Sequence, residues 1–162
     1  MRMFLKRGEA LRKRGGTRSN SASLCATSFP SALKKMHILL AVNGTLMRGL
    51  ELNGNLLAAG AIFVRETTTE SAYRLWSIDD RHPAMIRVAT GGVAIMVEVW
   101  QVPAAGLGEI LLQEPPGLCI GKVRLVDGEI VLGVLGEPIL CENKFEITQW
   151  GNWRTYISQK SE

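Results

Sequence analysis

Apolar positions along this chain come in short runs of strand length, and none approaches the roughly 20 residues needed to span a bilayer. Residues 38–42, ILLAV, form an unbroken apolar run that predicts a strand buried on both faces. Asn43-Gly44-Thr45 stops it. Asn53 is placed to cap a short helix over residues 55–59, with Gly60 as its stop. Residues 61–65 read as a strand and residues 67–70, TTTE, as a polar turn. Residues 72–78, AYRLWSI, alternate, with Tyr73, Leu75 and Ser77 on one face and Arg74, Trp76 and Ile78 on the other. Residues 79–83 predict a loop, residues 85–89 a strand, and residues 90–92 a turn. The longest strand, residues 93–102, ends at Pro103. Leu107, Ile110 and Leu111 then recur at helical spacing, until Pro115-Pro116 bars continuation. Asp127-Gly128 between two β-rich runs predicts a two-residue hairpin turn. Trp150 and Trp153 read as packing anchors near the end. Strands outnumber short, interspersed helices. The fold class is therefore α+β: a small mixed β-barrel or an antiparallel sheet with short helices packed on it.

Charge divides the chain in two. Residues 1–36 hold nine of the 19 basic residues and only one of the 15 acids, so the remainder carries a net charge of about −4. A nucleic-acid binder needs a basic face on its folded part, and an acidic body argues against one. The predicted organisation is a disordered basic tail over residues 1–35 and one domain over residues 36–162. Arg-rich, Ser-rich and acid-poor, the tail has the composition of an organelle transit peptide. Two other readings stay open: an upstream extension of a chain whose working start is Met36, and a basic arm for an acidic partner. Cys25, Cys119 and Cys141 are odd in number and far apart, and only His37 and His82 could join them. Reduced thiols are expected rather than a zinc site or disulfides, which places the protein inside the cell, in the cytoplasm or in a chloroplast or mitochondrion if the tail is a transit peptide.

Neither a nucleophile elbow nor a P-loop occurs. His37 at a strand start and His82 in a charged loop lack an evident nucleophile partner and read as surface residues. Three features remain. In the Asn43-Gly44-Thr45-Leu46 turn, successive N–H groups can hold an anion, although a plain strand end explains the same residues. Glu98 shares a strand face with Met96 and Trp100. If buried, it would have a raised pKa and suit general-base work; if not, it belongs to a solvated face. Glu114 lies where a helix gives way to two prolines beside an apolar stretch, a setting for proton transfer or simply an exposed loop acid.

Taken in order, VNGTLMRG, AYRLWSI, MIRVATGGVAIMVEVWQVP, CIGKVRLVDG, LGVLGEP and WGNWRTY resemble the C-terminal domain of allophanate hydrolase over about residues 38–157. The resemblance implies a γ-glutamyl cyclotransferase-like fold. In that superfamily a Y/N-G-[ST]-L motif binds a substrate carboxylate or carbonyl through its amides, and Asn43-Gly44-Thr45-Leu46 is similar to it. The resemblance also implies that Glu114 stands where cyclotransferases carry their acid/base glutamate. Glu98 is the second choice. Tyr73 and Arg87, in segments that align with the family, are the expected pocket liners, with Arg87 able to clamp a carboxylate.

Departures are as informative. The large amidase domain of allophanate hydrolase, with its Ser-Ser-Lys machinery, has no counterpart in these residues, so a stand-alone relative that is not itself an amidase is expected. Thr45 stands where the attached domain usually has a histidine, and Asn43 replaces the opening aromatic of the strict cyclotransferase motif. Two functions therefore stay open. One is acid/base conversion of a small amide- or ureido-bearing carboxylate; the other is a non-catalytic binding or oligomerisation module. Neither a metal nor an organic cofactor is implied, and the expected partner is a small ligand rather than nucleic acid or membrane. A homodimer is left open.

Overall fold

A computed structural model describes residues 36–160. The readings of the tail and its 35/36 boundary lie outside those residues. Among the described residues, eight strands form two sheets. In the first, β2 (Ile62–Thr68), β5 (Met96–Pro103), β1 (His37–Val42), β7 (Ile130–Gly136) and β6 (Leu118–Arg124) lie side by side in that order. Only β1 and β7 run parallel, with Leu40 opposite Leu132 and Ala41 opposite Gly133. The sheet curls until its two edges meet at one end. There Thr69 bridges Leu125, Glu70 N–H donates to the Arg124 carbonyl and Val126 N–H to the Thr68 carbonyl. This is the mixed, partly closed barrel expected from the strand pattern, and it covers its two edges at that end. The second sheet is β4 (His82–Arg87), β3 (Tyr73–Ile78) and β8 (Phe145–Glu146), all antiparallel.

Among the described residues, four helices and one 3-10 turn fill the gaps: α1 (Asn53–Ala58), α2 (Ala104–Gln113), α3 (Pro138–Cys141), the turn Thr148–Trp150 and α4 (Trp153–Lys160). Helix α2 packs on β5 through the buried Ile110 and meets α1 at Gly106, where a Cβ would stand 2.4 Å from the Ala59 carbonyl oxygen. One core runs through the barrel, built from Leu40, Val97, Val99, Val102, Val123 and Leu125. Tyr73, Leu75 and Ser77 are all buried, as their alternation predicts. Among the described residues, no helix is long and apolar enough to cross a membrane.

Several local expectations are corrected. Strand β2 continues through the threonines read as a turn, because Thr69 is buried and its hydroxyl accepts from Ile95 N–H. The Asp127-Gly128 hairpin uses three loop residues, not two. Leu125 N–H reaches the Glu129 carbonyl, Gly128 N–H returns to Leu125, and only Gly128 is left-handed, at φ 87°. That is a type I turn closed by a glycine bulge. Asn53 does not cap α1; its side-chain amide donates to the Leu46 carbonyl instead. The predicted loop over 79–83 is shorter. Asp79 and Asp80 make a left-handed turn, while His82 and Pro83 already belong to β4. Proline is tolerated there because β4 is an edge strand.

Candidate functional site

Strand β1 ends at Val42, beside Val134 of its parallel neighbour, and the chain then turns through Asn43 to Leu46. Three carbonyls of this turn are occupied: Gly44 accepts from Met47 N–H, Thr45 from Leu52 N–H and Leu46 from the Asn53 side chain. No protein acceptor among the described residues takes the N–H groups of Gly44, Thr45 or Leu46. The turn thus uses its acceptors to hold its shape and leaves its donors free, the arrangement of an oxygen-binding nest. Gly44 is needed here for space rather than conformation. A Cβ on it would lie 2.6 Å from Cδ of Pro83, so the turn and β4 touch at this point.

A small hollow of about 20 Å³ lies between them, room for about one water-sized group. Residues 43–46, His82, Pro83 and Glu114 line it. Glu114 reaches it because α2 ends at Gln113 and Pro115 holds Glu114 extended, at ψ 142°. No hydrogen bond or ion pair engages its carboxyl among the described residues, and burial raises its pKa. Asn43 is only 4 % exposed, and its side-chain Nδ2 has no hydrogen-bond partner.

The other site residues read from the sequence lie elsewhere. Tyr73 is wholly buried in the barrel, where its hydroxyl accepts from Arg124 N–H at 3.2 Å. Arg87 is exposed and pairs with Glu70 at 2.7 Å, so it clamps no ligand at the hollow. Neither residue borders the hollow; Tyr73 serves packing and Arg87 the surface.

Glu98 is fully buried but saturated. Its carboxylate accepts from Arg48 N–H (2.9 Å), Arg48 Nε (3.1 Å), Trp100 Nε1 (3.1 Å) and Arg154 Nη2 (2.7 Å). Burial alone would raise its pKa, but these four donors outweigh that and hold the pKa below the ordinary 4.5, opposite to the raised value expected for a buried base. The Arg48 guanidinium also lies 3.5 Å over the Phe63 ring. Glu98 therefore ties the downstream end of the turn to β5 and α4.

His82 is the residue that sequence reasoning missed. In the sequence it reads as a surface loop histidine, yet β4 begins at it and places it at the hollow. The signal was faint. Pro83 disguised the strand, and only pairing with β3, Ile78 opposite His82, shows which way the residue faces.

A larger hollow of about 600 Å³ lies far along the chain, walled by Phe145, Trp150 and Tyr156. Its charged groups are satisfied by one another. Asp80 accepts from Ser77, Tyr156 and Lys160, while Asp79 pairs with Lys144. These bonds, Lys160 first, hold the Asp80 carboxyl down to about 2 and latch α4 onto the β3–β4 turn. A depressed carboxyl stabilises the fold above its unfolded value and loses that effect as pH falls through the folded one. In thermal melts, wild type is expected to exceed Asp80→Asn above pH 3.8 and to lose its margin as the pH drops toward about 2.

Comparison with known proteins agrees with the architecture. The chain is 31% identical over 127 residues to urea amidolyase of Saccharomyces cerevisiae, a match covering 74% of this chain and 7% of that protein. It therefore spans only a small part of the curated relatives it matches. A crystal structure of a uropathogenic E. coli-specific protein superposes with TM-score 0.75 at 58% identity, over 76% of this chain and 97% of that one. Kluyveromyces lactis allophanate hydrolase superposes with TM-score 0.74 at 29% identity, over 81% of this chain and 22% of that one. A mouse aig2-like protein, 17% identical with TM-score 0.51 over 64% of this chain and 78% of that one, shares the fold alone. Residues 38–158, from the start of β1 through most of α4, match the family model itself, and the chain belongs to the allophanate hydrolase C-terminal domain family.

Proposed function

We propose that the hollow at the end of β1 binds a small amide- or ureido-bearing carboxylate and that Glu114 moves protons on it as general acid and base. One observation carries this reading: the unpaired Glu114 carboxyl and the free donors of the Asn43–Leu46 turn border the same space. A carbonyl oxygen seated on the turn would be polarised by its amides, while Glu114 exchanges a proton with the attached nitrogen. The names of the relatives, urea amidolyase and allophanate hydrolase, support a ureido ligand for this chain as well.

A panel of allophanate, malonate and γ-glutamyl compounds tests it by thermal shift and turnover, since a ligand that binds the folded state raises its apparent stability. Glu114→Gln is expected to keep the shift and lose turnover by about 100-fold or more. Undiminished turnover in that variant would remove Glu114 from the chemistry. Binding without turnover in wild type would favour the second reading, a binding module. The replacement of the family's usual imidazole by Thr45 speaks for that reading.

A further inference from the structure

The larger hollow, beside the β3–β4 turn and α4, shares no lining residue with the one at the end of β1. We propose that it is a second binding site, for a free aliphatic amine in its ammonium form, and that the chain's own Lys160 stands in for that ligand. The chemistry of the seat is the first argument. The Lys160 ammonium donates to Oδ2 of Asp80 and lies 5.6 Å from the centroid of the Tyr156 ring. A carboxylate beside an aromatic face is the pair of groups that recognises an organic cation. The other oxygen, Oδ1, accepts from the Ser77 and Tyr156 hydroxyls. Two neutral donors therefore fix the carboxylate in place, and Oδ2 is left for the charged one.

Room is the second argument. About 600 Å³ is the size of a small-molecule pocket and far more than one ammonium group needs. Three rings line it, Phe145, Trp150 and Tyr156, with centroids 5.3 to 6.3 Å apart. Trp150 is held by the bond from its indole N–H to Gln159, at 2.6 Å. Phe145 is 60% exposed. An aliphatic stem laid against these rings would take apolar surface out of water that the chain alone leaves wet.

The backbone supplies the third argument. Among the described residues, the non-glycine positions with left-handed φ are Asp79 (52°), Asp80 (58°) and Asn143 (58°), and all three line this hollow. Asp79 and Asp80 form the two-residue turn between β3 and β4, where Asn-Gly is the unstrained choice. A side chain at position 80 costs backbone strain, and what the strain secures is the carboxylate. Of the two lysines at the rim, Lys144 is bonded to both oxygens of Asp79, at 2.7 and 2.9 Å. Lys160 reaches one oxygen of Asp80 from the last residue of α4, with its side chain 51% exposed, so rotation of that side chain frees the seat.

n-Butylammonium and 1-butanol, nearly equal in size and different in charge, are the probes. They are titrated into the full chain at neutral pH and constant ionic strength while the Trp150 indole N–H and the Asp80 backbone N–H are followed by 15N NMR. Butylammonium is expected to shift both signals at about tenfold lower concentration than butanol. Lys160→Met should tighten butylammonium by about tenfold, the factor by which a seat filled about nine-tenths of the time weakens apparent affinity. Asp80→Asn should erase the preference for the cation, and Phe145→Ala, at an exposed position that leaves the fold intact, should weaken butylammonium by about fivefold. Butanol binding as well as butylammonium, or butylammonium no tighter in Lys160→Met, would overturn the proposal. A blocked lysine, Nα-acetyl-lysine N-methylamide, binding tenfold tighter than butylammonium would overturn the free amine in favour of a protein side chain. If neither probe moves the two signals, the hollow is no amine site.

Discussion

Glu98→Ala is expected to melt about 10 °C below wild type, a loss of about 3 kcal/mol. Four donors converge on this carboxylate at 2.7 to 3.1 Å, from Arg48, Trp100 and Arg154. Removing it leaves a buried indole N–H, a backbone N–H and two guanidinium groups without their acceptor. Both arginines keep some water contact, with side chains 45% and 31% exposed, so the cost falls at the low end of what breaking a buried ion pair causes. Acid should reproduce part of the effect. Because the folded pKa lies below the ordinary 4.5, the stabilisation is complete above that pH and is lost as pH falls through the folded value. Glu98→Ala should therefore lose its deficit relative to wild type in strongly acidic buffer. Melts of both proteins from neutral pH downward check this. A deficit of only a degree or two at neutral pH would mean that the network does not hold the fold together.

The same network shows where sequence reasoning reached and where it stopped. Alternation in residues 93–102 places Glu98 beside Trp100, and that much is visible in the string. What the string hides is the partners: Arg48 lies 50 positions earlier and Arg154 56 positions later. Whether a buried carboxylate is a poised base or a saturated anchor depends entirely on those distant donors. Tyr73 and Arg87 illustrate the same limit. Their segments align with the family, but β3 buries the tyrosine and Glu70 takes the arginine. Strand positions were legible because apolar runs and turn residues act locally. Asn53 and Asp127-Gly128 were assigned the right neighbourhoods and the wrong bonds, since a free Asn amide or a glycine turn has several local solutions and tertiary contacts choose among them. His82 was lost because an edge strand that starts with His-Pro looks like a loop.

Gly44→Ala is expected to destabilise the protein by about 1–3 kcal/mol and to weaken ligand binding at the hollow by tenfold or more. Gly44 has no left-handed backbone, so the added methyl strains no dihedral. The problem is space: the new Cβ would stand 2.6 Å from Cδ and 2.7 Å from Cγ of Pro83. The ring cannot easily retreat, because Pro83 is buried and its strand is paired, opposite Ser77, with β3. The turn must yield instead, and it carries the free amides that the hollow depends on. Moving it changes the separation between the amides of Gly44–Leu46 and the side chains of His82 and Glu114, which line the same hollow. Gly108→Ala is the matched control. Gly108 lies in α2, is exposed, and a Cβ there meets nothing within 4 Å. Alanine at that position should stabilise the helix by about 0.5–1 kcal/mol and leave binding unchanged. Thermal melts of the two variants, with and without the ligand panel, separate the cases. If Gly44→Ala melts and binds like wild type, the contact between the turn and β4 does not shape the site.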